Sequence, residues 1–205
     1  MSLLIRMHPD DRSALAVWEI DESEKKLRAE LDLGEFDRQR LEGITHPHKR
    51  LEFLSARAAL AELGVSVSDL HYSPQGKPQI QGGFLSITHN HQFAAALLHT
   101  EAEVGVDVED IRRNFEGLVD RYMREDERFI VEDDPSIGPM KLWGAKECGY
   151  KMHGRRRLDF KEHLRFGTRE GRWYIDVLKE GETCTGRVEW LRHGDAFVIW
   201  AVQEP

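Results

Sequence analysis

The sequence predicts an α+β chain with two similar lobes. Segments with strand-like and helix-like spacing of apolar residues alternate along it. Each half places helical material before a group of strands. The length, 205 residues, suits one large domain or two small lobes, either of which buries a proper core.

In chain order, "ALAVWEI" reads as a short apolar strand. "SEKKLRAELDLGEFDRQRLEGI" is charged, with apolar residues at helical spacing. "HKRLEFLSARAALAELG" is the clearest helix, with Leu51, Leu54, Ala58 and Ala61 as its apolar stripe and Gly64 placed to stop it. "DLHYSPQGKPQI" is a short strand interrupted by a Pro/Gly turn, "FLSITHNHQFAAALLH" holds one or two strands, and "EVGVDVEDI" holds another. "FEGLVDRYMREDERFIV" is expected to be helical, "EDDPSIGP" an acidic loop, and "MKLWGAKECGYKMHG" a helix. From His163 onward the chain is a run of strands with Gly-containing turns.

Composition excludes several classes. A formal net charge of -8 argues against nucleic-acid binding through overall charge, although "GRRRLDFK" is locally basic. The longest apolar run, "FAAALL", is too short to span a membrane. The start "MSLLIRMHPDD" lacks the apolar core of a secretory signal. The two cysteines, Cys148 and Cys184, form neither a disulfide framework nor a close zinc pair. A cytoplasmic protein is expected.

The chemistry gathers in a few short stretches. In "VGVDVED", Asp107 and Glu109 fall on one face of a strand, where like charges repel. Such a pair suits Mg²⁺, a hard cation held by carboxylates and substrate phosphates; taken alone, it better suits an edge strand with a solvated acidic face. In "WGAKECGYK", Glu147 and Lys151 are i and i+4 on a helix, either a surface ion pair or a metal or proton-transfer carboxylate beside a phosphate-binding ammonium. Trp143 anchors that face and packs in the core. In "SPQGKPQI", Lys77 sits at a turn, as a phosphate binder or a solvated lysine. In "LSITHNH", His89 reads as a phosphate or base ligand or a hydrogen-bonded strand end, and His91 carries no role.

Together, "GKP", "SITHN", "VGVDVE" and "WGAKECGYK" resemble the 4'-phosphopantetheinyl transferases, specifically the longer, surfactin-synthetase-activating type. The family pattern runs Gly-Lys-Pro, Asn-x-Ser-His-Ser, Gly-x-Asp-x-Glu, Trp-x-x-Lys-Glu-x-x-x-Lys. The first, third and fourth elements match in full. In the second, Ser86, Thr88 and Asn90 replace the usual residues while His89 is kept, a change that bears on adenine or ribose contacts more than on the chemistry. "KRLEFLSAR" also resembles a family segment, so the motifs run from Arg50 to Lys151.

The resemblance implies a pseudodimer: two lobes, here 1–103 and 104–205, each a small mostly antiparallel sheet packed with helices, with the active site in the cleft between them. It implies transfer of 4'-phosphopantetheine from coenzyme A to a serine of an apo acyl or peptidyl carrier protein, releasing 3',5'-ADP. Asp107, Glu109 and Glu147 would hold Mg²⁺, Glu147 would be the candidate base, and Lys151 would contact the pyrophosphate. Arg50, Lys77 with Pro78, and His89 would bind the 3'-phosphate end of coenzyme A, with Arg57 a weaker candidate. The carrier is acidic, so a local basic face is needed, and Arg112, Arg113, Arg121 and Arg124 are candidates. A monomer with no nucleic-acid or membrane partner is expected. A coenzyme A-binding module without transferase activity and an unrelated Mg²⁺-dependent phosphoesterase are the alternatives.

Overall fold

The computed structural model describes residues 2–115, 117–154 and 157–205. Arg155 and Arg156 of "GRRRLDFK", and Glu116, lie outside them. The chain forms two compact units, Met1–Glu101 and Ala102–Pro205. Each combines helices with an antiparallel sheet, so the class is α+β.

The N-terminal unit opens with β1 (Leu3–Met7), a strand that the apolar pattern does not signal, and β2 (Ser13–Glu19). The long charged segment makes two short helices, α1 (Glu24–Glu30) and α2 (Glu35–Glu42). Leu31 turns extended after α1, and Gly34 leads into α2 against the Ser68 backbone, so the helical pattern breaks there. Next come α3 (Pro47–Ala61), the two-residue strands β3 (His71–Tyr72) and β4 (Pro78–Gln79), then β5 (Phe84–His89) and β6 (Phe93–His99). The sheet order is β1-β2-β6-β5. Ala94 and Ala96 of β6 and Ala56, Ala59 and Leu60 of α3 share one buried core; small side chains on both surfaces let helix and sheet approach closely. Ala61, expected in the apolar stripe, is exposed instead.

The C-terminal unit begins with β7 (Val104–Asp110). The segment expected to be one helix forms α4 (Val119–Tyr122), a 3₁₀ turn at Glu125–Glu127 and α5 (Phe129–Asp133), followed by α6 (Gly138–His153). Four strands close the unit: β8 (Leu164–Arg169), β9 (Arg172–Lys179), β10 (Glu182–His193) and β11 (Ala196–Gln203). Their hairpins turn in two residues, and the Glu170–Gly171 and Glu180–Gly181 turns have positive φ at both positions, the geometry that tight hairpins favour. The sheet order is β7-β11-β10-β9-β8.

The same plan recurs in each unit. A strand is followed by helices, the last of them long, and the final strand returns antiparallel beside the strand that precedes the helices: β6 against β2, β11 against β7.

A buried ion pair fixes α6. Lys146 and Glu127 are 0% and 1% exposed with Nζ and Oε2 2.7 Å apart. Lys146 Nζ also donates to the Tyr122 and Phe160 carbonyls, and Glu127 accepts from the Phe166 and Arg124 amides. Each charge is thus neutralised and hydrogen-bonded, the condition for burying it. The pair ties the turns before α6, the loop after it and β8 to one point. It sets the rotation of α6, and with it the direction in which the neighbouring Glu147 projects.

Candidate active site

Strand β7 is the edge of its sheet, yet its acidic face is not solvated: Asp107 is 5% and Glu109 3% exposed. Period-two geometry puts Gly105, Asp107 and Glu109 on one face. Their partners in β11 are Ala201, Ile199 and Phe197, which belong to the core that α6 covers. This face therefore looks onto α6. The approach is close at Gly105, where a Cβ would fall 1.9 Å from the Cys148 carbonyl oxygen. Only glycine permits it.

Cys148 itself is buried and donates Sγ–H to the Ile199 carbonyl, so it packs rather than reacts. Its neighbours along α6 reach the acidic strand. Lys151 Nζ donates to Asp107 Oδ1 at 2.7 Å and to the Val106 carbonyl at 2.9 Å. Glu147 Oε2 is 4.0 Å from the same ammonium. The expected surface pair between Glu147 and Lys151 is thus secondary to an inter-element bond between Lys151 and Asp107. Arg113 grips both oxygens of Glu109, at 2.7 and 2.8 Å. Its guanidinium also lies 4.6 Å from the Phe115 ring centroid, and Trp143 packs with Phe115, Tyr122 and Phe160 behind it. The sequence offers Arg113 only as a carrier-docking candidate; its role as the Glu109 counter-ion comes from a chain turn that no periodicity signals. Arg112 and Arg124 likewise hold acidic neighbours, Asp110 and Asp126.

The electrostatics follow from burial. The Glu109 carboxyl is raised from 4.5 to about 7 by desolvation and by the Asp107 charge, against the pull of Arg113 and Lys151. Burial raises Glu147 too, Lys151 opposes it, and Asp107 adds to it. For Lys151, burial disfavours the charge, but Asp107 and Glu147 outweigh it and the ammonium is held above its usual range. A folded-state value above the unfolded one makes Glu109's contribution to stability full below about 4.5 and lost as pH rises through about 7. Without divalent cations, the wild type should therefore lose stability relative to Glu109→Gln between pH 4.5 and 7.5. Urea denaturation of both at half-unit pH steps checks this, and a constant difference would remove Glu109 as the source.

Oxygen donors, burial and surplus negative charge suit a hard divalent cation. Lys151 and Arg113 supply countercharge of the kind such an ion would bring. Among the described residues, the group with ligand atoms within 4.8 Å of one another is His48, Glu52 and His91, so the oxygens of Asp107, Glu109 and Glu147 stand farther apart than that.

The other sequence candidates lie in the N-terminal unit. Lys77 sits in the turn joining β3 to β4, where Gly76 has φ +88° and the Lys77 amide donates to Ser73 Oγ. Lys77 and Pro78 are half-buried rather than fully exposed. His89 ends β5 with Nδ1 3.0 Å from Glu52 Oε2, so a buried carboxylate orients its ring. Glu52, inside "KRLEFLSAR", is a partner that the sequence pattern does not single out. Arg50 is committed to Glu24 through two nitrogens and to the Leu41 and Ile44 carbonyls. Arg57 is 3% exposed, bridges both oxygens of Asp37, bonds Tyr72 Oη and stacks 3.6 Å from the Phe53 ring centroid. Those partners make Arg57 part of a buried ion pair. No helix among the described residues is long and apolar enough to cross a membrane.

Residues 103–202 match the model of the 4'-phosphopantetheinyl transferase superfamily. The 4'-phosphopantetheinyl transferases AcpT of Salmonella typhi and Salmonella typhimurium are each 27% identical over 115 residues, covering 52% of this chain and 60% of theirs. The crystal structure of Thermotoga maritima holo-[acyl-carrier-protein] synthase aligns with a TM-score of 0.42 and 22% identity, over 50% of this chain and 62% of that one. The chain thus spans about 60% of the length of these relatives. The matched segment holds β7, α6 and the whole Asp107, Glu109, Glu147 and Lys151 constellation, and this segment is a 4'-phosphopantetheinyl transferase superfamily domain.

Proposed function

We propose that this chain is a long-type phosphopantetheinyl transferase. It moves 4'-phosphopantetheine from coenzyme A to a serine of an acidic apo carrier protein, with Mg²⁺, acting as a monomer. The observation that carries the reading is the buried carboxylate pair of β7 facing Glu147 and Lys151 of α6.

Asp107 and Glu109 are assigned the cation, since both are buried oxygen donors and, with Glu147, the carboxylates outnumber the charges of Lys151 and Arg113. Bound Mg²⁺ would neutralise charge on the phosphoryl oxygens and template the pyrophosphate. Glu147 is the least buried of the three carboxylates. Burial raises its basicity, which suits it to take the serine proton in preference to a third metal bond. As the proton passes to Glu147, the serine oxygen bonds to the β-phosphorus and the bond to 3',5'-ADP breaks. Lys151, held over Asp107, places an ammonium where negative charge gathers, so positioning and electrostatics carry the step.

In the N-terminal unit, Lys77 and His89 are assigned the 3'-phosphate. A charged hydrogen bond contributes about 1.5–3 kcal/mol. Lys77→Ala and His89→Ala should each weaken coenzyme A binding by roughly tenfold or more and leave dephospho-coenzyme A nearly unaffected. Calorimetry with both ligands checks this; equal losses would remove the two residues from the 3'-phosphate.

The direct test is incubation with a panel of apo carrier proteins, coenzyme A and Mg²⁺, followed by intact mass. A Mg²⁺-dependent gain of one phosphopantetheine is expected. Carriers that stay unmodified while coenzyme A binds would turn the reading to a coenzyme A-binding module, and hydrolysis of a phosphate ester without any carrier would turn it to a phosphoesterase.

A further inference from the structure

We propose that the N-terminal unit carries a separate site for a zinc-like divalent ion, built from His48, Glu52 and His91. One ligand atom from each lies within 4.8 Å of the others, so modest side-chain rotations suffice to reach bond lengths of about 2.0–2.2 Å. His48 and Glu52 are four residues apart on α3 and share a face, with Nε2 3.9 Å from Oε1. His91 arrives from the turn between β5 and β6, and its ring stacks on that of His48 with centroids 3.7 Å apart. His48 Nε2 also bonds the His91 carbonyl at 2.6 Å. That contact holds the two histidines together, and the ion would take its place on Nε2, the nitrogen that also faces Glu52.

Glu52 completes the case. Its side chain is 2% exposed, and nitrogen partners gather on it: Lys49 Nζ at 2.7 Å and His89 Nδ1 at 3.0 Å. Lys49 is 61% exposed and can swing away, which leaves the carboxylate for the incoming ion. His91 is exposed and His48 half-buried, so the ion has a way in from solvent. Two imidazoles and a carboxylate suit Zn²⁺ and its transition-metal neighbours, whereas Mg²⁺ takes oxygen ligands. The site shares no ligand with the carboxylates of β7 and α6 and does not depend on the transferase reading.

Titration calorimetry of the full chain with Zn²⁺, repeated in excess Mg²⁺, and the absorption spectrum of bound Co²⁺ test the proposal. One ion per chain should bind, undisturbed by Mg²⁺. His48→Ala and His91→Ala, shown to be folded by circular dichroism, should each weaken binding about tenfold or more. Lys49→Ala removes only an exposed competitor for Glu52 and should tighten it. Absence of saturable Zn²⁺ binding, wild-type affinity in both histidine variants, or weaker binding by Lys49→Ala would each overturn the site.

Discussion

Asp107→Ala should reduce carrier modification on the order of 10³-fold or more, because the metal and its charge stabilisation are worth several kcal/mol at the transition state. The fold should survive. Asp107 packs against α6 as a charge, and its removal relieves the repulsion that helps hold Glu109 near 7. Lys151 keeps the Val106 carbonyl and the nearby Glu147. Stability without Mg²⁺ should therefore match or exceed that of the wild type. Glu147→Gln should lose about 10²–10⁴-fold, since an amide cannot take the serine proton. The two residues act on one event, so the double variant should be little worse than the worse single. Mg²⁺ titration of transfer rate and of melting temperature across the four proteins reads this out. Near-wild-type transfer by Asp107→Ala would end the metal-site assignment, and simple additivity would separate Asp107 from Glu147.

Much of this constellation is legible in the sequence because it is local. The valines of β7 give the strand, period two gives the shared face of Asp107 and Glu109, and i,i+4 spacing gives that of Glu147 and Lys151. What joins the two pairs is not local. The bond from Lys151 to Asp107 spans 44 residues, and the grip of Arg113 on Glu109 depends on a turn. Lys146 escapes a sequence reading because lysine is almost never fully buried, and its partner Glu127 lies in a segment that looks helical. That segment breaks into short turns as Glu127 caps the Arg124 amide and meets Lys146. Arg50 and Arg57 show the converse: a family-like spacing marks them, but Glu24 and Asp37, far away in sequence, claim their charges.

Gly105→Ala should damage both stability and transfer, although it adds one methyl group and touches no ionisable side chain. The new Cβ would stand 1.9 Å from the Cys148 oxygen, 2.6 Å from its carbonyl carbon and 2.8 Å from its Cα. These are backbone atoms in the middle of α6, so no rotamer change relieves the clash. Gly144 and Gly149 on the same helix face the side chains of Ile199 and Ile175, which can yield. At Gly105 the strand or the helix must move, and overpacking of this kind costs about 1–3 kcal/mol or more. Asp107 lies two residues along the strand, and Glu147 and Lys151 flank Cys148 on the helix, so the same movement separates the carboxylates from Lys151. A displacement of about 1 Å can lower a rate by 10²-fold. Gly167 in β8, whose added Cβ would meet nothing within 4 Å, supplies the control: Gly167→Ala should fold and transfer as the wild type does. Urea denaturation, with transfer rates measured far below the melting temperature, separates the two effects. Loss of stability alone would make Gly105 a packing residue, whereas loss of transfer in a folded protein would show that the close approach of β7 and α6 holds the reactive groups in register.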